Sequence, residues 1–552
     1  MDIFIVASPV ASWAACGILV YFLLLVTYCF FLHPLSKYPG PAVAKLSDVY
    51  AGLYTLCGCL HLRTYLDLLE YGPVLRAGPN KLVFKSAEAL QAAQDIYNNQ
   101  RVTKSHVYQL ALIAGKINLF NVIAKRHHRE KRRLIGHAIN DKAIRAFEPT
   151  LIDQVDEFIR QLLQASQQSG NPVDMSKRSK LLGTDIVGHL AFGYPLNMQT
   201  KEENRFLIDG MKLGAYQYNA FMQWPLLKKT GIHRLFVFLG RKQRGLYLQK
   251  IQTMIRERLA QGKHAKQDLF SFTADYLANP ENGIDTNQLF SEALFFFPAG
   301  MLSHSSCLTV TYEFRRRGLT LKQAGDTTST AISALFFYLS RYPEVYKKLA
   351  QEIRSTFQSN ADIRNGPQLA GCRYLRACID EALRMSPPVA GTLWREPYDE
   401  ELVKGPFVVD GHVIPPGTQV GVSVYAIHHN EEYFPEPFAF RPERWLESDA
   451  GTLSRMNSAF CPFSLGSRGC AGKSMAYLET GLVLAKTLWF FDFEVAPGIS
   501  GKLGEGTAAG QNNGRGRVDE FQTWDSFGST HLGPNLVFHP RGELWREIET
   551  KA

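Results

Sequence analysis

The sequence of 552 residues predicts a mainly α (α+β) protein, with one large helical domain, small β-sheets set to one side and one N-terminal transmembrane helix. Three observations predict this fold class. An uncharged apolar run opens the chain, helical hydrophobic periodicity recurs along most of the remaining sequence, and the strand-like pieces are short. Hydrophobic residues make up 45% of the chain and aromatic residues 12%, as in an ordinary folded protein, so wholesale disorder is excluded.

The first element is the apolar run AACGILVYFLLLVTYCFFL (Ala14–Leu32), which carries no charge. Its length is close to the roughly 20 residues that a helix needs to cross a bilayer. A cleaved signal peptide would have a shorter apolar core and a basic start, whereas the charge that precedes this run is Asp2. We therefore expect residues 1–33 to be an uncleaved anchor. Lys37 and Lys45 come after the run, and the positive-inside rule then predicts that the bulk of the chain is cytoplasmic.

Residues 34–45 include the run YPGP (Tyr38–Pro41), which cannot continue a helix, and are expected to form a stiff Pro-rich hinge. Residues 46–552 contain no second linker, repeat or low-complexity tract, so one large domain is expected there. The formal net charge of +10 indicates an anionic membrane surface or an acidic partner protein. Nucleic acid is not expected as a partner, because the sequence has no long Lys/Arg tract and no nucleic-acid motif.

The hydrophobic periodicity predicts helices over most of the body. Clear examples lie at Pro149–Ser169, Leu246–Leu259, Gln288–Phe297, Thr328–Arg341, Val345–Phe357 and Met475–Phe490. Short strands are predicted in two pairs, which are Val74–Ala77 with Lys81–Phe84 and Phe407–Val409 with Gln419–Val424.

The segment FSLGSRGCAG (Phe463–Gly472) carries the strongest chemical signal and leads directly into a predicted helix. A cysteine just before a helix, close to backbone N–H groups, is favoured as the thiolate, which is the form that ligates a metal. Glycines beside it allow a sharp turn around the sulfur and a close approach to a flat macrocycle. The alternative is a buried structural cysteine in a glycine turn. Five matching positions within ten residues argue against that alternative.

The pattern FxxGxRxCxG in this segment resembles the haem-binding motif of cytochrome P-450 enzymes. The resemblance implies the cytochrome P-450 fold and a bound haem b (iron protoporphyrin IX), with Cys470 as the axial ligand to the iron. It also places Phe463, Gly466, Arg468 and Gly472 around the cofactor, and Arg468 can pair with a haem propionate. Amide hydrogen bonds to the sulfur would tune the potential of the iron.

Two further segments resemble structural motifs of the same family. The sequence Glu381-Ala-Leu-Arg384 is similar to the ExxR helix, and the run from Pro442 to Trp445 is similar to the PERF-type segment. By itself a Glu–Arg pair at i,i+3 is weak support, since such pairs are frequent on helix surfaces. The resemblance implies that Glu381, Arg384 and Arg444 form a buried triad with a structural role.

The basic run KRHHREKRRL (Lys125–Leu134) resembles the family's helix that flanks the haem. The resemblance implies that His128 and Arg132 contact a propionate, and Arg395 matches the position of another propionate-binding arginine. The alternative is a solvated basic face that docks an acidic reductase, and both interpretations can hold.

Oxygen activation in the family uses an acid–alcohol pair on a long central helix. Asp326 and Thr327 match this pair, which implies that Thr327 hydrogen-bonds dioxygen and that Asp326 helps to deliver the protons that break the O–O bond. The alternative is a threonine-rich helix start without a catalytic role.

One departure from the family pattern lies directly before this pair. The polar segment MLSHSSCLTVTYEFRRRGLTLKQA (Met301–Ala324) separates the apolar lead-in that ends at Gly300 from the continuation that begins at Gly325. Without it, the two flanks join as one amphipathic helix. The residues at its two ends can be encoded by GGTATG and CAGGCAGG, which look like intron boundaries, so we expect an anomalous insertion that is a retained intron or the result of a wrong gene model. The alternative, a real loop, would leave helix backbone groups to be satisfied elsewhere.

The resemblance implies a haem-thiolate monooxygenase that inserts one oxygen atom from O2 into a hydrophobic small molecule. Its electrons would come from NADPH through a separate NADPH–cytochrome P-450 reductase, at the endoplasmic reticulum membrane. The tail (Asp519–Gly542) is similar to fungal enzymes of secondary-metabolite pathways. Candidate pocket residues are Phe295–Phe297 and Pro388–Leu393, with Tyr216–Trp224 as the roof.

Three alternatives stay open. One is a haem-thiolate isomerase or dehydratase that works without a reductase. Another is a haem-binding protein whose catalysis is impaired by the insertion at 301–324. The third is a structural membrane protein with basic surface patches, which the motif at Phe463–Gly472 disfavours.

Overall fold

The computed structural model describes residues 2–91, 96–110, 117–167, 171–231, 234, 241–262, 265–271, 292, 327–397 and 405–549. Helices dominate this part of the chain, which confirms the mainly helical fold class. The longer helices are Asp2–Thr27, Leu60–Tyr71, Lys125–Ala138, Asp141–Ser166, Met175–Phe192, Phe206–Gln223, Arg241–Leu259, Thr327–Arg341, Pro343–Thr356, Arg373–Met385, Ala450–Ala459 and Lys473–Phe490. Short helices are Ala42–Leu46, Val49–Leu56, Ala87–Gln91, Leu226–Lys229, Pro367–Gly371, Val424–His428, Arg444–Glu447 and Arg546–Glu549.

The strands form four small sheets. They are β1 (Val74–Gly78), β2 (Lys81–Phe84), β3 (Val102–Lys104), β4 (Val173–Asp174), β5 (Arg395–Pro397), β6 (Phe407–Val409), β7 (His412–Ile414), β8 (Gln419–Val422), β9 (Phe491–Val495), β10 (Thr523–Ser526), β11 (Gly528–His531) and β12 (Asn535–Pro540). The largest has the order β1-β2-β8-β5-β3, and the others are β4-β12-β9, β6-β7 and β10-β11.

The predicted pairing of β1 with β2 is confirmed, and it is antiparallel. The predicted partner of β6 is wrong. Strand β6 pairs with β7, and β8 instead runs parallel to β2. The two residues between β6 and β7, Asp410 and Gly411, both have positive φ, at 46° and 74°. An Asp-Gly pair is the preferred sequence for such a tight two-residue hairpin turn. This local signal decides the pairing against the longer connection to β8.

The helix predicted from Pro149 begins earlier, at Asp141. The side chain of Asn140 accepts a hydrogen bond from the backbone N–H of Ala143 and caps the helix start. Pro149 therefore lies inside the helix rather than at its beginning. The residues of the predicted helix Gln288–Phe297 lie outside the described part of the chain, apart from Glu292.

The core of the body is built around the helix Thr327–Arg341, called the central helix below. Every residue from Ser329 to Leu339 is buried. The central helix packs against the helices Met175–Phe192, Arg373–Met385 and Lys473–Phe490. The last two, called the ExxR helix and the cysteine helix, carry or adjoin the motifs on which the functional prediction depends.

One helical stretch in the described residues, Ala11–Leu32, is long and apolar enough to cross a membrane, with a mean hydropathy of 2.4. Its end is attached to the body, since Nη1 of the buried Arg76 donates a hydrogen bond of 2.8 Å to the carbonyl of Cys29. The adjoining Pro-rich segment is also packed down, with Leu35 and Tyr38 buried and the N–H of Arg76 bonded to Pro39 O at 2.8 Å. The apolar helix and the first strand are thus held together.

Candidate active site

The loop that presents Cys470 is a tight turn immediately before the cysteine helix. The N–H of Cys470 donates to Phe463 O at 2.8 Å, and the N–H of Gly469 donates to Gly466 O at 3.0 Å. Gly466 has a φ of +67°, and a Cβ on it would lie 2.5 Å from the carbonyl oxygen of Tyr97. Only glycine fits this position without displacing backbone. The loop is therefore fixed from both sides and presents Cys470 at the start of the cysteine helix.

The thiol of Cys470 retains solvent-accessible surface although many atoms pack around it. Burial raises the pKa of Cys470, while the backbone N–H of Gly472 and the charges of Arg132 and Lys473 act in the opposite direction. A metal bound to the sulfur would favour the thiolate. Within the described residues no cluster of three His, Cys, Asp or Glu side chains is arranged to hold a metal.

Phe463 and Gly472 differ in their surroundings. The ring of Phe463 packs against Tyr477, with centroids 5.2 Å apart, and lies beneath the ammonium group of Lys473. A Cβ on Gly472 would meet no atom of the described structure within 4 Å. The predicted contacts of these two residues with a cofactor stay predictions.

Five basic side chains converge beside the cysteine loop, namely Lys104, His128, Arg132, Arg395 and Arg468. Burial, followed by the charges of Arg395, Arg468 and Arg132, lowers the pKa of Lys104 well below its usual value. Burial and the four other members lower the pKa of His128 to about 3. Burial and Arg395 lower the pKa of Arg468 to about 10. We call this group the cationic cluster, and each shift shows that its members repel one another's charge.

Hydrogen bonds from the cationic cluster end on backbone carbonyls. Arg468 donates to Val122 O and Ile123 O, each at 2.7 Å, and Arg132 donates to Gly469 O at 2.9 Å. Lys104 donates to Phe120 O. In the described chain no member of the cluster forms a salt bridge with a carboxylate. Buried cations without counter-charges are costly.

The cationic cluster fits the haem that the sequence motif implies. Haem b carries two propionate carboxylates, which supply the negative charge that the cluster lacks. Arginine is well suited to such groups, because its guanidinium binds carboxylates in a bidentate manner. Arg132, Arg395 and Arg468 would hold the propionates, while Cys470 would hold the iron.

Two structural elements bring the cationic cluster together. His128 and Arg132 lie four residues apart on one face of the helix Lys125–Ala138, so both point to the same side. Lys104 lies directly opposite Arg395 where β3 pairs with β5. Like charges placed opposite each other destabilise a strand pair. An anionic group bound beside these two side chains would offset their repulsion.

Lys104 is a member of the cationic cluster that the sequence prediction does not include. Its signal is weak, because a lysine at the end of a three-residue strand usually lies in solvent. Its burial depends on the pairing with a strand about 290 positions away, which no local pattern reveals.

The triad of Glu381, Arg384 and Arg444 is present and fully buried. Oε1 of Glu381 accepts bonds from Arg384 Nη2 at 2.8 Å and from Arg444 Nε at 2.9 Å. Oε2 accepts from Arg384 Nε at 3.0 Å and from the indole N–H of Trp445 at 3.0 Å. Trp445 is a fourth member that the sequence prediction does not assign. These contacts attach the ExxR helix to the segment that precedes the cysteine loop.

A histidine continues this attachment toward the cysteine loop. Nδ1 of His428 lies 3.2 Å from the carbonyl of Arg384, and its Nε2 accepts the N–H of Cys461 at 3.0 Å. Burial and the charge of Arg384 lower the pKa of His428 to about 3, so the ring is neutral. The neutral ring donates at one nitrogen and accepts at the other, which its two bonds require.

Thr327 is the first described residue of the central helix and is half-buried. One turn later, Thr330 Oγ1 donates to Ser529 O at 3.1 Å. Asp326, the segment 301–324 and Phe295–Phe297 lie outside the described residues, so the predicted acid–alcohol pair stays a prediction.

Comparison with known proteins identifies the family. The family model described as cytochrome P-450 matches residues 70–311 and 319–508. The chain is 32% identical over 559 aligned residues to cytochrome P-450 monooxygenase apf7 of Gibberella fujikuroi, covering 97% of this chain and 98% of that protein. It is 33% identical to cytochrome P-450 monooxygenase poxM of Penicillium oxalicum, covering 86% and 87%, and 32% identical to cytochrome P-450 monooxygenase AKT7 of Alternaria alternata, covering 94% and 96%. The matched positions include the cysteine loop, the ExxR helix and the cationic cluster, and the chain belongs to the cytochrome P-450 family.

Proposed function

We propose that this protein is a membrane-anchored haem-thiolate monooxygenase of fungal secondary metabolism. In this proposal it inserts one oxygen atom from O2 into a hydrophobic small molecule, using electrons from NADPH that a separate reductase delivers. The relatives support it, since those compared above are fungal enzymes named as cytochrome P-450 monooxygenases. The anchor helix supports a location on the endoplasmic reticulum membrane with the body in the cytoplasm.

The observation that carries the proposal is the cationic cluster beside the loop of Cys470. A structural cysteine in a glycine turn needs no group of buried and half-buried basic side chains without a carboxylate partner next to it. A cofactor that brings a metal and two carboxylates requires both features at once.

When bound, the haem supplies the chemistry that activates dioxygen, and the residues of the chain hold and orient it. Cys470 supplies the thiolate sulfur, and Arg132, Arg395 and Arg468 neutralise the propionates. The hydroxyl of Thr327, at the start of the central helix, is proposed to donate a hydrogen bond to dioxygen. Asp326 is proposed to pass protons toward the same place.

The decisive experiment is the carbon-monoxide difference spectrum of the reduced full-length protein. We expect the red-shifted Soret band of a thiolate-ligated haem in the parent protein and its loss in Cys470→Ser. Cys461→Ser is the matched control, because Cys461 is also close to the loop but is buried and bonded through its backbone to His428. Loss of the band in the control alone, or its persistence in Cys470→Ser, would contradict the proposal.

We further propose that residues 301–324 do not belong to the functional enzyme. The match to the family model is interrupted between residues 311 and 319, inside this segment, while residues 301–311 and 319–324 lie within the matched ranges. The interruption supports an insertion at this place in the chain. Sequencing of spliced transcripts tests the proposal directly. Transcripts that retain the segment in every read would overturn it, and a deletion variant that alone gives the thiolate band would support it.

The proposed reductase has a suitable surface on the helix Lys125–Ala138. Arg129 and Arg133 are exposed on the side opposite the cationic cluster and present positive charge to solvent, whereas the exposed Arg126 pairs with Glu130 at 3.2 Å. Such a face attracts an acidic partner and accelerates encounter at low salt. We expect the double variant Arg129→Glu/Arg133→Glu to lower the rate at which NADPH and reductase reduce the haem under carbon monoxide. The control Arg364→Glu/Lys502→Glu changes the same charge elsewhere and should leave that rate unchanged.

A further inference from the structure

The hairpin β10–β11 lies close to the start of the central helix. The N–H of Ser529 donates to Pro388 O at 2.7 Å, and Ser529 O accepts the hydroxyl of Thr330 at 3.1 Å. Thr330 is one helical turn after Thr327. The turn of the hairpin is thus held between the central helix and the segment directly after the ExxR helix.

Three aromatic rings from three parts of the chain meet at this turn. The ring centroid of Phe120 lies 5.4 Å from that of Tyr218 and 5.0 Å from that of Phe527, and Tyr218 and Phe527 are 5.8 Å apart. Phe120 is joined to the cationic cluster, because its carbonyl accepts from Lys104 and the carbonyl of Val122 accepts from Arg468. We call these three rings the aromatic cluster. It connects the cationic cluster, through Phe120, with the hairpin, through Phe527.

A buried carboxylate adjoins the aromatic cluster. Asp525 is 3% exposed, and its Oδ1 accepts the N–H of Phe527 at 3.0 Å and the amide of Asn219 at 3.3 Å. Its Oδ2 faces Gly391, where an added Cβ would lie 3.0 Å from that oxygen. Gly391 lines a small cavity together with Thr392 and other residues. Gly391 therefore packs closely against Oδ2, and a side chain at this position would press on that oxygen.

No cation neutralises this carboxylate within the described residues. Burial is the main cause that raises the pKa of Asp525 to about 6, and the bonds from Phe527 and Asn219 act against it. Arg515 is committed elsewhere, because its guanidinium donates to Gly58 O at 3.2 Å and lies over the ring of Trp524. Buried carboxylates in proteins are ordinarily paired with a cation. An unpaired one beside three aromatic rings is the arrangement that recognises a positively charged ligand.

We propose that Asp525 and the aromatic cluster bind a positively charged nitrogen on an otherwise apolar substrate. This inference rests on the proposed monooxygenase function and names the substrate class of the same site. The rings of Tyr218 and Phe527 would contact the charge and its alkyl groups, and Oδ2 of Asp525 would provide the counter-charge. Phe120 would support these two rings, since its own ring centroid lies 4.4 Å from Nζ of Lys104. The neutral remainder of the substrate would then extend toward Thr327.

The test uses two probes of equal shape, 4-phenylbutyltrimethylammonium and its neutral carbon analogue (5,5-dimethylhexyl)benzene. The quaternary nitrogen has no lone pair and cannot ligate the haem iron. Dissociation constants are measured by equilibrium dialysis on the full-length haem-loaded protein in detergent, at a pH about 1.5 units above the pKa of Asp525. We expect the parent protein to bind the ammonium probe at least tenfold more tightly than the neutral one.

Asp525→Asn retains an oxygen that can accept from Phe527 and removes the charge. We expect it to lose the preference for the ammonium probe while its dissociation constant for the neutral probe stays within twofold. Gly391→Ala keeps the charge but brings a methyl group to 3.0 Å from Oδ2, and should reduce the preference in the same direction. Glu520→Gln, which removes another buried carboxylate, should retain the preference.

Equal affinity of the parent protein for the two probes overturns the proposal. So does an equal loss of both probes in Asp525→Asn, which would assign Asp525 a purely structural role in the turn. If Asp525→Asn does not fold, Gly391→Ala decides between the two results. The carbon-monoxide spectrum separates this test from that of the proposed function, since a protein with the thiolate band and no probe preference refutes the substrate class alone.

Discussion

Replacement of Glu381 by glutamine is the sharpest test of how the fold supports the cysteine loop. The carboxylate accepts four side-chain hydrogen bonds from Arg384, Arg444 and Trp445, and a fifth at 3.1 Å from the backbone N–H of Arg441. The charges of Arg384 and Arg444 outweigh burial and hold the pKa of Glu381 below its usual value. Glutamine keeps the volume of the side chain but leaves two buried guanidinium groups without a counter-charge. It also points its own N–H₂ group, a donor, at neighbouring groups that are donors themselves.

Removal of one partner from a buried ion pair costs about 3–5 kcal/mol. For a chain of 552 residues the unfolding entropy corresponds to roughly 1 kcal/mol per degree, so the apparent Tm should fall by roughly 3–5 °C. The assay is thermal unfolding of the haem-loaded full-length protein at one scan rate, followed by far-UV circular dichroism and by loss of the Soret band.

The matched control is Glu436→Gln, which breaks an exposed pair with Arg441 whose N···O distance is also 2.8 Å. An exposed pair contributes little, so its apparent Tm should change by no more than about 1 °C. If Glu381→Gln shifts the apparent Tm no further than Glu436→Gln does, the buried triad is not what stabilises this part of the fold.

Three further outcomes are expected. Burial raises the pKa of Glu520 to about 7 from its usual value of 4.5, so the folded state retains a proton that the unfolded state releases. The stability of the parent protein relative to Glu520→Gln should therefore decrease by up to about 3 kcal/mol as the pH rises from 4.5 to 7. A difference in apparent Tm between the two proteins that stays constant over this pH range contradicts the prediction. Phe336→Ala, in the centre of the core, should cost about 3–5 kcal/mol by the same unfolding assay, and a loss below about 1 kcal/mol would mean that the core refills the cavity. Lys486→Met leaves the carboxylate of Asp156 buried and unpaired and should cost about 3–5 kcal/mol, most of which the double variant with Asp156→Leu should recover.

Motif residues on one local element could be predicted from the sequence, whereas residues that meet through distant pairing could not. The helix Lys125–Ala138 illustrates the first case. Its period of 3.6 residues puts His128 and Arg132 on the inner face and Arg129 and Arg133 on the outer face. The two interpretations of the basic run are thus compatible, because they concern different faces.

Lys104 and Asp525 illustrate the second case. Each is buried through contacts with residues more than 200 positions away, Arg395 for Lys104 and Asn219 for Asp525. A single lysine or aspartate in a short strand gives no local sign of such burial. The wrong partner for β6 has a different cause. The turn at Asp410 and Gly411 carries a clear hairpin signal, and this turn pairs β6 with the next strand, β7, rather than with β8.

The bond from Arg76 to Cys29 O affects how the whole protein moves. Because the end of the apolar helix and the first strand share this contact, the body cannot swing freely about the Pro-rich segment. With the helix in a bilayer, the motions that remain to the body are lateral diffusion and rotation about the membrane normal. In the proposed membrane location, a reductase in the same membrane would meet the basic face of Arg129 and Arg133 at a nearly constant height. Its search for a productive encounter would then be confined to two dimensions.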